Sequence, residues 1–178
     1  MKISVYIGTS LDGFIAREDG SFDWLAGFAD EDAVHAYQEF MNDIDAIVIG
    51  RGTFETVLTF SEWPYAEAVF VLSRSIPELP ADLTDRATLL SKPPKEVLRH
   101  LAALGFESIY IDGGKVVQDF LREDLIDELI IAKVPVLIGS GIPLFDHLPG
   151  DLTFTHTRTT VAPNGLVRSY YTRDRGSE

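Results

Sequence analysis

The stretch Ser108-Ile109-Tyr110-Ile111-Asp112-Gly113-Gly114-Lys115-Val116-Val117-Gln118-Asp119-Phe120-Leu121 constrains this chain more than any other. Ile109 and Ile111 alternate with Tyr110, the period of a buried strand. Val116, Val117, Phe120 and Leu121 then recur at helical spacing, directly after two adjacent glycines. Such a turn brings the free N–H groups of a helix's first turn to the end of a strand, and an anion suits that position. The same pattern also fits a tight strand-to-helix turn with no ligand.

The rest of the chain supplies similar units. Ile3, Val5 and Ile7 alternate as a first strand that ends at Gly8-Thr9-Ser10. Turns at Leu11-Asp12-Gly13 and Asp19-Gly20-Ser21 enclose a short extended piece, Phe14-Ile15-Ala16. A helix is expected from Asp30, because Asp30, Glu31 and Asp32 suit its positive end and Tyr37, Phe40 and Met41 follow at helical spacing. Ile44 to Ile49 reads as a strand running into the loop Gly50-Arg51-Gly52-Thr53, with a short helix from Phe54 to Phe60. Ala68 to Leu72 is another strand, ending at Ser73-Arg74-Ser75, and Thr88 to Leu90 a minor one. Pro94 opens a helix that Gly105 closes. After the glycine-pair unit come a strand at Glu128 to Val134 and two more flanking the hairpin turn Pro163-Asn164-Gly165. Alternating strands and helices followed by a hairpin imply an α/β fold, mostly parallel with an antiparallel C-terminal edge. A single domain is expected over residues 1–173, with residues 174–178 a disordered tail.

Composition narrows the partners. A formal net charge of −13 argues against a nucleic-acid backbone. The absence of cysteine excludes disulfides and thiolate metal ligands, and the four histidines lack metal-ligand spacing, so no metal is expected. No apolar run approaches the ~18 residues of a membrane span, so a cytoplasmic protein with no membrane partner is expected. Against this acidic background, Arg51, Arg74 and Lys115 fall in three strand-end loops. In an open α/β sheet ligands bind beyond the carboxyl ends of the strands, and cations gathered there suit a phosphorylated cofactor. Solvated loop-tip arginines are the alternative for any one of them.

The order of these loops resembles the dihydrofolate reductase superfamily, over nearly the whole chain. Ile3 to Ala16, Ile47 to Glu55, Val69 to Arg74 and Ile111 to Val116 match, in order, its first strand and nicotinamide loop, its Gly-Arg-x-Thr segment, its serine-bearing adenosine loop and its glycine pair. The resemblance implies a three-layer dihydrofolate reductase-like fold and NADPH as cofactor. Gly8, Ile15 and Ala16 would lie near the nicotinamide. Gly50, Arg51, Gly52 and Thr53, at a second helix start, would face the cofactor's diphosphate, and Leu72, Ser73, Arg74 and Ser75 would hold the adenosine end, with the 2′-phosphate among Arg51, Ser73 and Arg74. Gly113, Gly114, Lys115, Val116 and Val117 would face the diphosphate across a cis Gly113–Gly114 bond.

Within that superfamily, Ser10-Leu11-Asp12-Gly13 resembles the Ser-Leu-Asp-Gly signature of the reductase domain of riboflavin-biosynthesis deaminase-reductases. Pro135 to Phe145 is similar to that family's Pro-x-x-x-Gly-x-Gly loop. The implied activity is hydride transfer to a pterin-like or aminouracil-type heterocycle, by a homodimer. A true dihydrofolate reductase would bury a carboxylate of the Asp30 to Asp32 group against the substrate, making Asp30 or Asp32 catalytic. The riboflavin-like branch would leave that helix without a buried acid and make Asp12 the nearest carboxylate, and the two signatures favour this branch. A nucleotide-binding protein without turnover is the remaining alternative.

Overall fold

A computed structural model of the chain describes residues 1–176. In chain order the strands are β1 (Lys2–Thr9), β2 (Phe14–Ala16), β3 (Ala46–Gly50), β4 (Ala68–Leu72), β5 (Ala87–Leu90), β6 (Ser108–Asp112), β7 (Glu128–Lys133), β8 (Ile142–Pro143), β9 (Phe154–Val161) and β10 (Val167–Arg173). The α-helices are α1 (Glu31–Met41), α2 (Arg51–Val57), α3 (Pro94–Ala103) and α4 (Gly114–Arg122). Eight strands form one sheet in the order β5-β4-β3-β6-β1-β7-β10-β9, while β2 and β8 pair separately. The first six strands of that order run parallel, and the β9–β10 hairpin adds an antiparallel edge. Among the described residues no helix is long and apolar enough to cross a membrane.

Strands buried on both faces explain the unbroken apolar runs in the sequence. Alternate residues of the central strands feed two cores. Val5, Val48, Ile109 and Ile111 pack with Val97 and Leu101 of α3 and Val117 and Phe120 of α4 on one face. Ile47, Ile49 and Tyr110 pack with Phe54 of α2 and Tyr37 and Phe40 of α1 on the other. The result is three layers, with β6 near the sheet centre between β3 and β1.

Register sets up the functional end. Leu90 pairs with Leu72, Leu72 with Gly50, and Ile49 with Asp112, so the carboxyl ends of β5, β4, β3 and β6 finish side by side. Two boundaries differ from those expected. Helix α2 begins at Arg51 instead of Phe54 and ends at Val57, because an extended Gly50 serves as its N-cap and Arg51 to Thr53 form its first turn. Asp174 and Arg175 are also held where a disordered tail was expected. Arg173 closes β10, Asp174 N–H donates to the Thr153 carbonyl, and the Arg175 guanidinium reaches Asp127 at 2.6 Å. The acidic turn between α4 and β7 holds these arginines. Residues 177–178 of the expected tail lie outside the described residues.

Candidate functional site

A cleft of about 1210 Å³ opens beyond the carboxyl ends of β1, β3, β4, β5 and β6. Single-ligand pockets are typically ~300–1,000 Å³, so this one lies above the usual size for one small ligand. Its first flank starts with Arg51 on the opening turn of α2. Arg51 donates to the Ser75 hydroxyl at 3.2 Å and lies 3.5 Å from Glu55. Ser73 is buried, and its oxygen accepts from the N–H groups of Ser75 and Ile76, which shapes the loop after β4. Arg74 projects into solvent beside it. Lys92, on the loop after β5, adds a cation that sequence reasoning missed; only the strand register brings it to this cleft.

The glycine pair forms the middle of the cleft. Gly113 has φ 96° and ψ 133°, a conformation open to glycine and costly for other residues. A Cβ on Gly113 would lie 2.5 Å from Thr53 Oγ1, and one on Gly114 would lie 2.6 Å from Ile15 Cδ1. The peptide bond between them is trans, against the expected cis bond. The positive φ of Gly113 turns the chain by itself, so the ~2.5–4 kcal/mol of a cis non-proline bond is not needed here. Helix α4 has no side-chain cap, which leaves the N–H groups of its first turn free. Val117 does not belong with them: its N–H donates to the Gly113 carbonyl at 3.0 Å and its side chain is fully buried. Gly114, Lys115 and Val116 do line the cleft.

The opposite flank is apolar and aromatic. Gly8 at the end of β1, Ile15 and Ala16 on β2, Phe22 and Leu25 of the following segment, Tyr37 of α1, and Tyr65 and Tyr110 all line it. Burial pushes the hydroxyls of Tyr37, Tyr65 and Tyr110 above their usual range. Among these rings sits Asp112, the last residue of β6, which sequence reasoning passed over. Burial pushes its carboxyl up to about 6, opposed by the bond from the Gly113 N–H at 2.8 Å; the Tyr110 hydroxyl donates its proton to the Tyr6 carbonyl instead. The signal in the sequence was a lone acid closing an apolar strand against a glycine pair.

The three carboxylates expected to be catalytic lie elsewhere. Asp12 is a loop clamp: it accepts from the Ser10 hydroxyl at 2.6 Å, from Gly139 N–H at 2.8 Å and from Ile138 N–H at 3.3 Å. The two signature segments, Ser10 to Gly13 and Pro135 to Phe145, thus form one unit, completed by the β2–β8 pairing. Gly141 belongs there because a side chain would run into the Ala16 carbonyl. Asp30 is the exposed N-cap of α1, accepting from Ala33 N–H and from the Asn164 side chain. Asp32 is exposed on the same helix. None of the three lines the cleft; helix-end charge compensation suffices to explain Asp30 and Asp32.

Known proteins share this architecture. The uncharacterized protein YwjB of Bacillus subtilis (strain 168) is 37% identical over 174 residues, covering 97% of this chain and 98% of that protein. A crystal structure of a Shewanella sp. PV-4 protein named for riboflavin biosynthesis is 40% identical, covers 98% of this chain and 100% of its own, and has a TM-score of 0.92. Two more distant structures show the fold alone. One is the Thermotoga maritima diaminohydroxyphosphoribosylaminopyrimidine deaminase/5-amino-6-(5-phosphoribosylamino)uracil reductase, 16% identical with TM-score 0.76 over 97% of this chain and 56% of that one. The other is Enterococcus faecalis dihydrofolate reductase complexed with NADP(H), 17% identical with TM-score 0.70 over 97% of this chain and 96% of that one. The fold is therefore dihydrofolate reductase-like. The RibD C-terminal domain family matches residues 1–167, and the chain belongs to that family.

Proposed function

We propose that this protein is an NADPH-dependent reductase of a flat heterocycle, aminouracil-type or pterin-like. One observation carries the reading: an uncapped α4 behind a glycine pair shares a cleft with the Arg51–Ser75–Ser73 cluster. The donor set fits a phosphorylated dinucleotide. Free N–H groups at Gly114, Lys115 and Val116 suit a diphosphate, and the close approach of Thr53 and Ile15 requires glycine at both positions beside them. Guanidinium and hydroxyl groups at Arg51, Arg74, Ser73 and Ser75 suit a 2′-phosphate, with Lys92 beside them.

When bound, the cofactor supplies hydride; this chain's residues bind, orient and exclude water. Ile15 and Ala16, held by β8 and the Asp12 clamp, wall the cleft where the nicotinamide would lie. Tyr37, Tyr65 and Tyr110 offer ring faces and edges for a flat substrate. Asp112, with its carboxyl pushed up to about 6, can hold a proton close to neutral pH and accept an N–H of the substrate. Dihydrofolate reduction by an acid on α1 is not supported, because neither Asp30 nor Asp32 lines the cleft.

The test is oxidation of NADPH against a panel of aminouracils and pterins, with NADH in parallel. Turnover with at least one aminouracil or pterin is expected, with NADPH preferred to NADH by tenfold or more, about 1.4 kcal/mol. Tight NADPH binding without turnover on any of them would leave a nucleotide-binding protein instead. A homodimer is part of the same proposal, since β9 is an exposed edge strand and Leu137 and Val161 lie open to solvent. Light scattering should then report twice the chain mass of 19.7 kDa.

A further inference from the structure

The cleft is divided by charge. Its lysines and arginines are Arg51 on α2, Arg74 and Lys92 on the loops after β4 and β5, and Lys115 and Arg122 on α4. Among the described residues, the flank built from β1, β2, α1, the end of β6 and the Tyr65 segment contributes aromatic and aliphatic side chains, one carboxylate at Asp112, and no cation to the lining. Two arginines of that side are engaged outside the lining. Arg17 bonds Asp23 at 2.7 Å, and Arg168 is buried with its Nε–H on the Tyr6 hydroxyl at 2.8 Å. The α4 cations nearest to crossing over are already paired, Lys115 with Asp119 at 3.1 Å and Arg122 with Asp119 and Asp146 at 2.6 and 2.7 Å. The N-terminus of α1 offers no anion site here either, since Asp30 caps it outside the cleft.

A phosphate monoester needs charged or N–H donors when it leaves water, and a half-buried carboxylate beside it adds repulsion. A heterocycle with an amino or amidine edge needs the reverse: an acceptor for its N–H groups and ring faces to stack on. We propose that the aromatic flank takes an unphosphorylated amino-heterocycle, neutral or protonated, whose N–H edge rests on Asp112 among Tyr37, Tyr65 and Tyr110. This rests on reading the cationic flank as the cofactor site. It departs from the phosphoribosylamino compound for which the Thermotoga maritima neighbour is named. The raised affinity of Asp112 for a proton agrees, because the same burial favours a shared N–H or a cationic partner over a bare carboxylate.

Calorimetric titration of the NADPH-loaded protein tests this with three probes: 2,4-diaminopyrimidine, and 5-amino-6-(ribosylamino)uracil with and without its 5′-phosphate. The unphosphorylated ribosylaminouracil should bind at least tenfold more tightly than its 5′-phosphate. In Asp112→Asn, which keeps an acceptor for the Gly113 N–H, 2,4-diaminopyrimidine should bind tenfold or more weakly. Equal or tighter binding of the 5′-phosphate overturns the proposal, as does undiminished diaminopyrimidine binding in the variant or no binding of any probe. NADPH is titrated first and alone, so a failure of the cofactor reading shows there, before any heterocycle is added.

Discussion

The two flanks of the cleft solve opposite problems. The cationic flank is made of backbone and loop tips: an uncapped helix end, a glycine at φ 96°, Arg51 bonded to Ser75, and Arg74 exposed beside them. The aromatic flank is made of side chains from strands and α1, with one acid half-buried among rings. An anion is bound by donors that the chain cannot satisfy internally, whereas a flat ring is bound by area and one acceptor. In a chain of net charge −13, concentrating cations on one flank would also keep the two proposed ligand sites from competing.

The sharpest way to break this contrast is at the glycine pair. Gly114→Val should put methyl groups into Ile15 and lower NADPH affinity about a hundredfold, ~2.7 kcal/mol, measured by quenching of protein fluorescence. Undiminished NADPH binding would remove α4 from the cofactor site.

Asp112 sharpens the comparison from the other side. Its pKa is raised from 3.8 to about 6, so the stability linked to its protonation is complete below pH 3.8 and lost as pH rises through 6. Asp112→Asn should therefore make the unliganded protein more stable at pH 7.5, by ~1–3 kcal/mol, with little change at pH 4. Urea unfolding at the two pH values checks it; equal shifts at both would mean that the carboxyl is not perturbed.

A smaller effect is expected at the adenosine end. Arg51→Ala and Arg74→Ala should each weaken NADPH by about tenfold, the worth of one charge-assisted contact, and leave NADH nearly unchanged. Parallel loss for both cofactors would place the 2′-phosphate elsewhere. The smallest effect is at α1: Asp30→Asn and Asp32→Asn should leave turnover within about twofold, since Asn caps a helix as well as Asp. A collapse of turnover in either would return α1 to the chemistry.

Much of this was legible in the chain itself. Alternation at Ile109 and Ile111, helical spacing from Val116 to Leu121 and the glycine pair between them determined the strand, the helix and the open turn, because period and glycine are local properties. The signatures at Ser10 to Gly13 and Pro135 to Phe145 likewise pointed to the family to which the chain belongs. What each carboxylate does was decided only in three dimensions. Asp12, Asp30 and Asp112 all stand at strand or helix ends in the sequence, yet one clamps a loop, one caps a helix and one sits among tyrosines. An acid's role depends on which groups surround it, and for Asp112 those are Tyr37, Tyr65 and Tyr110, two of them more than forty residues away and brought in by sheet order. The same holds for Lys92, which reaches the cleft because β5 pairs in register with β4, and for the trans Gly113–Gly114 bond, where φ rather than ω makes the turn.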